Sequence, residues 1–355
     1  MADSEEDDVA TANDVILSTV SPPASTPLPS VVIVGAALSI IIVVTLFGNG
    51  LVVGAVVTTR RLRCAANYFV LSLAVTDITV ALLVMPFSMV YSVTGRWYFG
   101  CSFCYFWASC DVMCCTASIL HLCAIATHRY VAITRPLSYK TLLSTRRTYL
   151  LIAAIWTCSA TISFLPIYLG WFSPHDDGSL CDEVSATCGL QVNAVYAVIS
   201  STTSFYAPLV IITVIYVKIF RIARQQAAAI KEQEVVPFVG ACAGTDFSVK
   251  CKCARKHAKA VKTLGTLMGL FVVSWLPFFL LYVILPFCRG CAVPTEVITF
   301  VTWLGYVNSC FNPGVYAYLN RDFREAFKSI LCCCEAAVDN HIVFNMRPVN
   351  YKQEL

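Results

Sequence analysis

The chain has 355 residues, of which 58% are hydrophobic and only 13% charged. A soluble domain of this length carries about 25% charged residues, so most of this chain is solvated by something other than water, and bilayer lipid is the obvious candidate. The formal net charge of +4 decides nothing until its placement is known.

The first residues, Met1 to Asp8, are acidic, and no apolar run follows until Val31. That pattern is not a cleavable signal peptide, so the first apolar helix is expected to act as its own insertion signal. Apolar runs of about 20 residues or more then occur at Val31–Thr58, Asn67–Val93, Cys101–Ile133, Tyr149–Leu169, Asn193–Phe220, Val261–Leu285 and Val297–Leu319. Among the Lys and Arg residues only Arg96 and Arg289 fall on one side of these seven spans. The positive-inside rule makes the other, basic side cytosolic. An extracellular N-terminus and a cytosolic C-terminus are therefore expected.

Ionisable residues inside a span are functional hypotheses by default. Asp77 in the second run and Asp111 in the third lie too deep to snorkel; for Asp77 a structural role among hydroxyls and amides is the competing reading. Asp111 and Arg129 are 18 residues apart, about 27 Å at helical rise, close to the ~30 Å hydrocarbon thickness. One helix thus carries an acid near one face and a base at the other. No Lys or Arg occurs in the outer half of any span to neutralise Asp111. A lone buried carboxylate is costly unless a cation meets it, so the partner is expected from outside, and a protonated amine fits.

The cysteines sort by side. Cys101, Cys104, Cys181, Cys188, Cys288 and Cys291 face the oxidising exterior, where disulfides persist. Whether Cys101 pairs with Cys181 is left open by the sequence. Cys332, Cys333 and Cys334 follow the last span at a spacing that suits palmitoylation, with a metal site as the competing reading.

Taken in order, one motif per helix, the spans resemble those of rhodopsin-like G-protein-coupled receptors across nearly all of Val31 to Cys334. The first has Gly48-Asn49 and the second Leu73-Ala74-Val75-Thr76-Asp77; the third ends in His128-Arg129-Tyr130 and the fourth contains Trp156. The fifth has Pro208 and Tyr216, the sixth Ser274-Trp275-Leu276-Pro277-Phe278-Phe279, and the seventh Asn308-Ser309-Cys310-Phe311-Asn312-Pro313-Gly314-Val315-Tyr316. The resemblance implies an all-α membrane protein, a seven-transmembrane helix bundle with a short amphipathic eighth helix near Asp322–Leu331. It divides the chain into an outer tail (1–30), the receptor domain (31–331) and a cytosolic tail (332–355). It implies disulfides Cys104–Cys188 and Cys288–Cys291, and a location in the plasma membrane.

The motifs are most similar to those of biogenic-amine receptors, near β-adrenergic-like octopamine and dopamine receptors. Asp111 then matches the residue that binds the ligand ammonium and Tyr306 the tyrosine that supports it. Ser200, Ser201 and Ser204 match three serines that bind ring hydroxyls, although small residues also serve helix packing. Val112, Cys115, Trp275, Phe278, Phe279, Tyr282 and Thr302 complete the implied pocket. Octopamine, tyramine or dopamine is the expected ligand, with serotonin, histamine and trace amines as alternatives. Asp77 with Asn49, Ser118, Asn308 and Asn312 matches the family's sodium-binding set, and oxygen ligands suit a hard cation. A sodium ion is the one cofactor implied.

Arg129, Tyr130, Leu137, Tyr216, Asn312, Pro313 and Tyr316 match residues of the G-protein switch. The partners implied are a heterotrimeric G protein, the stimulatory type favoured by similarity around Lys259–Gly265, with arrestin and the bilayer; no nucleic acid is expected. The chain departs from the family at His128, where an acid usually precedes the arginine, and at His257, where related receptors carry a second acid. Thr302 stands where adrenergic receptors have Asn. A transporter is disfavoured by the lack of internal repeats, a light receptor by the absence of Lys from Val297–Leu319, and an enzyme by the lack of a nucleophile–base pair. An amine-binding protein without signalling is the serious rival.

Overall fold

A computed structural model describes residues 28–135, 144–172, 180–182, 184–189, 192–235, 244–288, 291 and 293–332. The helices are α1 (Leu28–Thr58), α2 (Ala65–Leu83), α3 (Met85–Thr94), α4 (Cys101–Thr134), α5 (Thr145–Tyr168), α6 (Ala194–Ser201), α7 (Ala207–Val235), α8 (Gly244–Ile284), α9 (Thr295–Leu319) and α10 (Arg321–Leu331). α2 and α3 form the second span, and α6, a π-helical turn at Thr202–Tyr206 and α7 form the fifth. Leu137, Cys333 and Cys334 lie outside the described residues, as does the side chain of His257.

Among the described residues six helices are long and apolar enough to cross a membrane: Val31–Thr58, Ala65–Thr94, Cys101–Thr134, Thr145–Tyr168, Ala194–Ile222 and Gly265–Phe287. The seventh member of the bundle, α9, has 25 residues and packs against α8 and α1. Its hydropathy is lowered by Asn308, Ser309 and Asn312, all of which are buried. Those polar groups face neighbouring helices, so the helix presents an apolar surface to lipid while reading as mixed in sequence.

Prolines and caps set the breaks. Pro208 has no N–H to offer the carbonyl one turn earlier, and the chain widens into the π turn, closed by the Ala207 N–H on the Thr202 carbonyl. Pro277 and Pro313 lie inside α8 and α9. Asn193 caps α6 by accepting from the Tyr196 N–H at 2.7 Å, and Asn320 caps α10 by accepting from the Asp322 N–H at 3.1 Å.

A buried polar chain ties the second, third and fourth spans. The Trp156 indole donates to Ser72 Oγ at 3.0 Å, Ser72 lies 2.8 Å from His121 Nε2, and His121 Nδ1 lies 2.7 Å from the Ala117 carbonyl. A carbonyl only accepts, so Nδ1 carries the hydrogen and Nε2 accepts from the serine. Each of these groups is satisfied, as a site without water requires.

At one end of the bundle a two-stranded hairpin, β1 (Cys181–Asp182) and β2 (Thr187–Cys188), places Cys181 opposite Cys188. Cys101–Cys181 and Cys104–Cys188 bond it to successive turns of α4, with Cα separations of 5.3 and 5.9 Å. Cys288–Cys291 closes a small loop at the same end. Both disulfides implied by the resemblance are present, and Cys101 is bonded to Cys181. At the basic end, α10 lies against α9 and α1, burying Phe323, Ala326 and Phe327. Its polar side carries an Arg321–Glu325 ion pair.

Candidate functional site

A cavity opens between the third, fifth, sixth and seventh spans toward the disulfide end. It encloses about 580 Å³ when its open mouth and the adjoining solvent space are counted. Asp111, Val112, Cys115 and Thr116 of α4 form one wall; Tyr196, Ser200 and Ser204 face them from the fifth span. Trp275, Phe278, Phe279 and Tyr282 of α8 and Thr302 of α9 complete the lining. The four α8 positions follow helical spacing, so one stripe of the helix is aromatic.

Asp111 holds the only charge among these lining residues. Its Oδ2 accepts a hydrogen bond from the Tyr306 hydroxyl at 2.9 Å. Tyr306 is itself buried, packed edge-on against Trp275 and Trp303, so it orients the carboxylate from beneath rather than lining the space. The tyrosine leaves the charge of Asp111 uncompensated. What remains is an anion with an apolar and aromatic surround, a site for a compact cation.

The serines divide. Ser200 donates to the Tyr196 carbonyl at 2.6 Å and lies 3.5 Å from the Tyr282 hydroxyl. Ser204 lines the cavity with a buried hydroxyl that has no hydrogen-bond partner among the described residues. Ser201, expected beside them, is fully buried and does not line the cavity. Successive residues of a helix are turned about 100° from one another, so the neighbour of an inward-facing Ser200 points into the helix packing. Two cavity residues, Thr116 and Tyr196, were missed in sequence. Tyr196 precedes Ser200 by one helical turn, a spacing that would have revealed it.

Deeper in the bundle, Asp77 is fully buried and its Oδ2 accepts from Asn312 Nδ2 at 2.7 Å. Asn49 donates to the carbonyls of Thr45 and Ser309. Asp77 Oδ1 and Asn49 Oδ1 have no partner among the described residues. Ser118 and Asn308 are buried but make no direct bond to Asp77. A buried carboxylate with a free oxygen, among amide and hydroxyl oxygens, is a donor set that fits a hard monovalent cation.

At the basic end, Arg129 is half-buried and makes no ion pair with any described residue. His128 turns into the bundle, 2% exposed, and meets Phe69 of α2 edge to face at a centroid distance of 6.2 Å. Tyr130 is half-buried at the edge of the core. Tyr316 stacks on Phe323 of α10 and keeps a buried hydroxyl without a partner among the described residues. Tyr216 lies against the backbone of Gly265, where an added Cβ would approach its ring carbons to 2.7 and 2.9 Å.

The profile of the 7 transmembrane receptor (rhodopsin family) matches residues 48–316. The chain belongs to that family. It is 39% identical to an octopamine receptor beta-2R of Chilo suppressalis over 83% of this chain and 78% of the relative. It is 41% identical to the histamine H2 receptor of Cavia porcellus, covering 87% and 82%, and 41% identical to the D(1C) dopamine receptor of Xenopus laevis, covering 90% and 71%. The protein is accordingly a multi-pass membrane receptor, and the family is not one of enzymes.

Proposed function

We propose that the chain is a receptor for a protonated biogenic amine carrying a phenol or catechol ring, such as octopamine, tyramine or dopamine. The observation that carries this reading is Asp111, a carboxylate recessed in an aromatic cavity, oriented by Tyr306 and lacking a cationic partner among the lining residues. The ammonium would pair with Asp111 and the ring would lie among Phe278, Phe279 and Val112. Ring hydroxyls would reach Ser204, whose hydroxyl is unspent, and Ser200. The three relatives, named for different amines, are nearly equal in identity, so the choice among ligands rests on the serines.

The signal would pass along α8 and α9, in which Pro277 and Pro313 each remove a backbone donor and supply a pivot, to Arg129, Tyr216 and Tyr316 at the basic end, where a G protein of the stimulatory type would bind. Leu137 would add an apolar contact there, and arrestin would use the same face. Basic loops would keep that end in the cytosol, with the N-terminus outside, the receptor in the plasma membrane and acyl chains on Cys332 to Cys334. Asp77, Ser118, Asn308 and Asn312 would hold a sodium ion that favours the resting arrangement.

The test is cAMP in cells displaying the chain, challenged with octopamine, tyramine, dopamine, serotonin, histamine and phenethylamine. A rise with the phenolic amines well below the phenethylamine threshold is expected. A response confined to histamine or serotonin would overturn the ring assignment, and binding without any cAMP change would favour a non-signalling protein.

A further inference from the structure

Trp275 at the floor of the cavity is boxed in. Phe278 meets it edge to face at 5.8 Å, Phe279 is tilted against it at 6.0 Å, and Tyr306 meets it edge to face at 6.4 Å. It also lies against Gly305 of α9. A Cβ built on Gly305 would stand 2.8, 2.9 and 3.0 Å from Cζ3, Cε3 and Cη2, all atoms of the six-membered ring. Carbon atoms pack best at about 3.5–4.0 Å, so a methyl there requires the indole to give by about half an ångström. Gly305 is in a regular helix and has no left-handed backbone. It is a glycine for the space it leaves, not for its conformation.

We infer that Gly305 sets the depth of the ligand cavity and thereby selects the size of the amine's ring. Phe278, Phe279 and Tyr306 crowd the indole on other sides and the indole lines the cavity, so its displacement from Gly305 would be taken up at the cavity's expense. The space lost would be that nearest Trp275, beneath a ligand ring held among Phe278, Phe279 and Val112. A shallow cavity penalises a two-ring amine more than a one-ring amine, and sparing the anchor leaves the ammonium contact intact. This inference rests on the amine reading for its ligand, but the contact itself does not.

The experiment uses the full chain in detergent micelles. Melting temperature is measured for the parent, Gly305→Ala, Trp275→Phe and the double variant, alone and with phenethylamine or tryptamine. Alanine normally favours a helix over glycine. Gly305→Ala should nevertheless lower the melting temperature by ~2 °C or more in the parent, and raise it in the Trp275→Phe background, where the clashing ring is gone. Tryptamine affinity, read from the ligand-induced shift, should fall about tenfold in Gly305→Ala and phenethylamine no more than about threefold, since single-group pocket changes have that scale. The double variant should recover tryptamine.

Equal melting losses in both backgrounds would show that Gly305 does not bear on Trp275 and would overturn the inference. Equal loss of both amines would assign the effect to Tyr306, the next residue, and to the Asp111 anchor, and would overturn it as well. If neither amine shifts the parent at millimolar concentration, the amine reading fails and the depth role with it; the unliganded comparison still decides whether the Gly305–Trp275 contact exists.

Discussion

The two ends of this bundle are held by different means. At the disulfide end the hairpin is bonded twice to α4, and Trp97, Phe99, Phe103 and Phe87 form a cluster of ring contacts at 4.7–6.2 Å. At the basic end, among the described residues, the third span packs through Ile125, Ile133 and His128, the last against Phe69, and Arg129 has no ion pair. Tyr216 occupies a niche left by a glycine. Recognition needs groups fixed within tenths of an ångström, whereas a switch needs two packings of similar energy. On the proposed function, the covalent end would serve the first and the packed end the second.

The largest effect should come from Asp111→Asn. Removing one member of a desolvated charge pair costs about 2–5 kcal/mol, or roughly 30- to several thousandfold in potency. Agonist potency in the cAMP assay should fall by that order while surface expression holds. Unchanged potency would remove the anchor and the contrast with it. The comparison predicts that ligand-free cAMP is untouched, because the packed end is not altered.

Next comes His128→Asp. A carboxylate beside Arg129 would form a charge-assisted hydrogen bond worth roughly 1.5–3 kcal/mol, whereas a histidine supplies no negative charge. A bias of about 1.4 kcal/mol toward the resting state changes the active-to-resting ratio about tenfold. Signalling without ligand is therefore expected in the parent and should fall in His128→Asp at matched surface expression. Basal cAMP equal to that of mock cells, with a larger agonist response in the variant, would mean instead that the histidine impairs coupling.

Ser204→Ala should cost tyramine, octopamine or dopamine about 1 kcal/mol, several-fold in potency, and phenethylamine almost nothing. Equal losses for all four would return the residue to helix packing. A smaller change is expected from Cys101→Ser with Cys181→Ser. Once Cys104–Cys188 has closed its loop, the second bond only ties residues three and seven positions away along the two segments, a short ring with less closure entropy to remove than the first. Agonist potency should shift less than in Cys104→Ser with Cys188→Ser; the reverse order would show that the hairpin is positioned by its outer bond.

The smallest effect concerns the hairpin turn. Asp182 is exposed, and the Ser185 hydroxyl, then the Val184 N–H, hold its carboxyl below the ordinary range. A lowered carboxyl pKa stabilises above the unfolded value and is lost as pH falls through the folded one. The exchange protection of the Val184 amide should therefore hold in mild acid and weaken only as the pH falls below the ordinary carboxylate range, by well under tenfold for so exposed a group. No change would mean that the disulfides alone define the turn.

Much of this was legible in the chain itself. All seven spans were legible as apolar runs, α9 among them, although the inward-facing Asn308, Ser309 and Asn312 lower its apolar score. Asp111 stood out as a buried acid without an internal partner, and its pairing with Tyr306 was implied by the family resemblance. What escaped depends on rotation and on register. Ser201 differs from Ser200 only by one step around a helix, and two cysteines one turn apart on α4 offer the same partners until the fold sets Cys101 on Cys181 and Cys104 on Cys188. The contact of His128 with Phe69 joins residues 59 positions apart and has no local signature.

The π turn at Thr202–Tyr206 holds one residue more than an α-helix would need to cover the same ground. Deleting one residue there would restore a regular helix and swing every position toward Asn193 by about 100°. Ser200 and Tyr196 would leave the cavity together and lipid-facing side chains such as Val195 and Ile199 would be carried around toward it. The segment can accept changes of side chain on its exposed face, but its length is itself part of the recognition code.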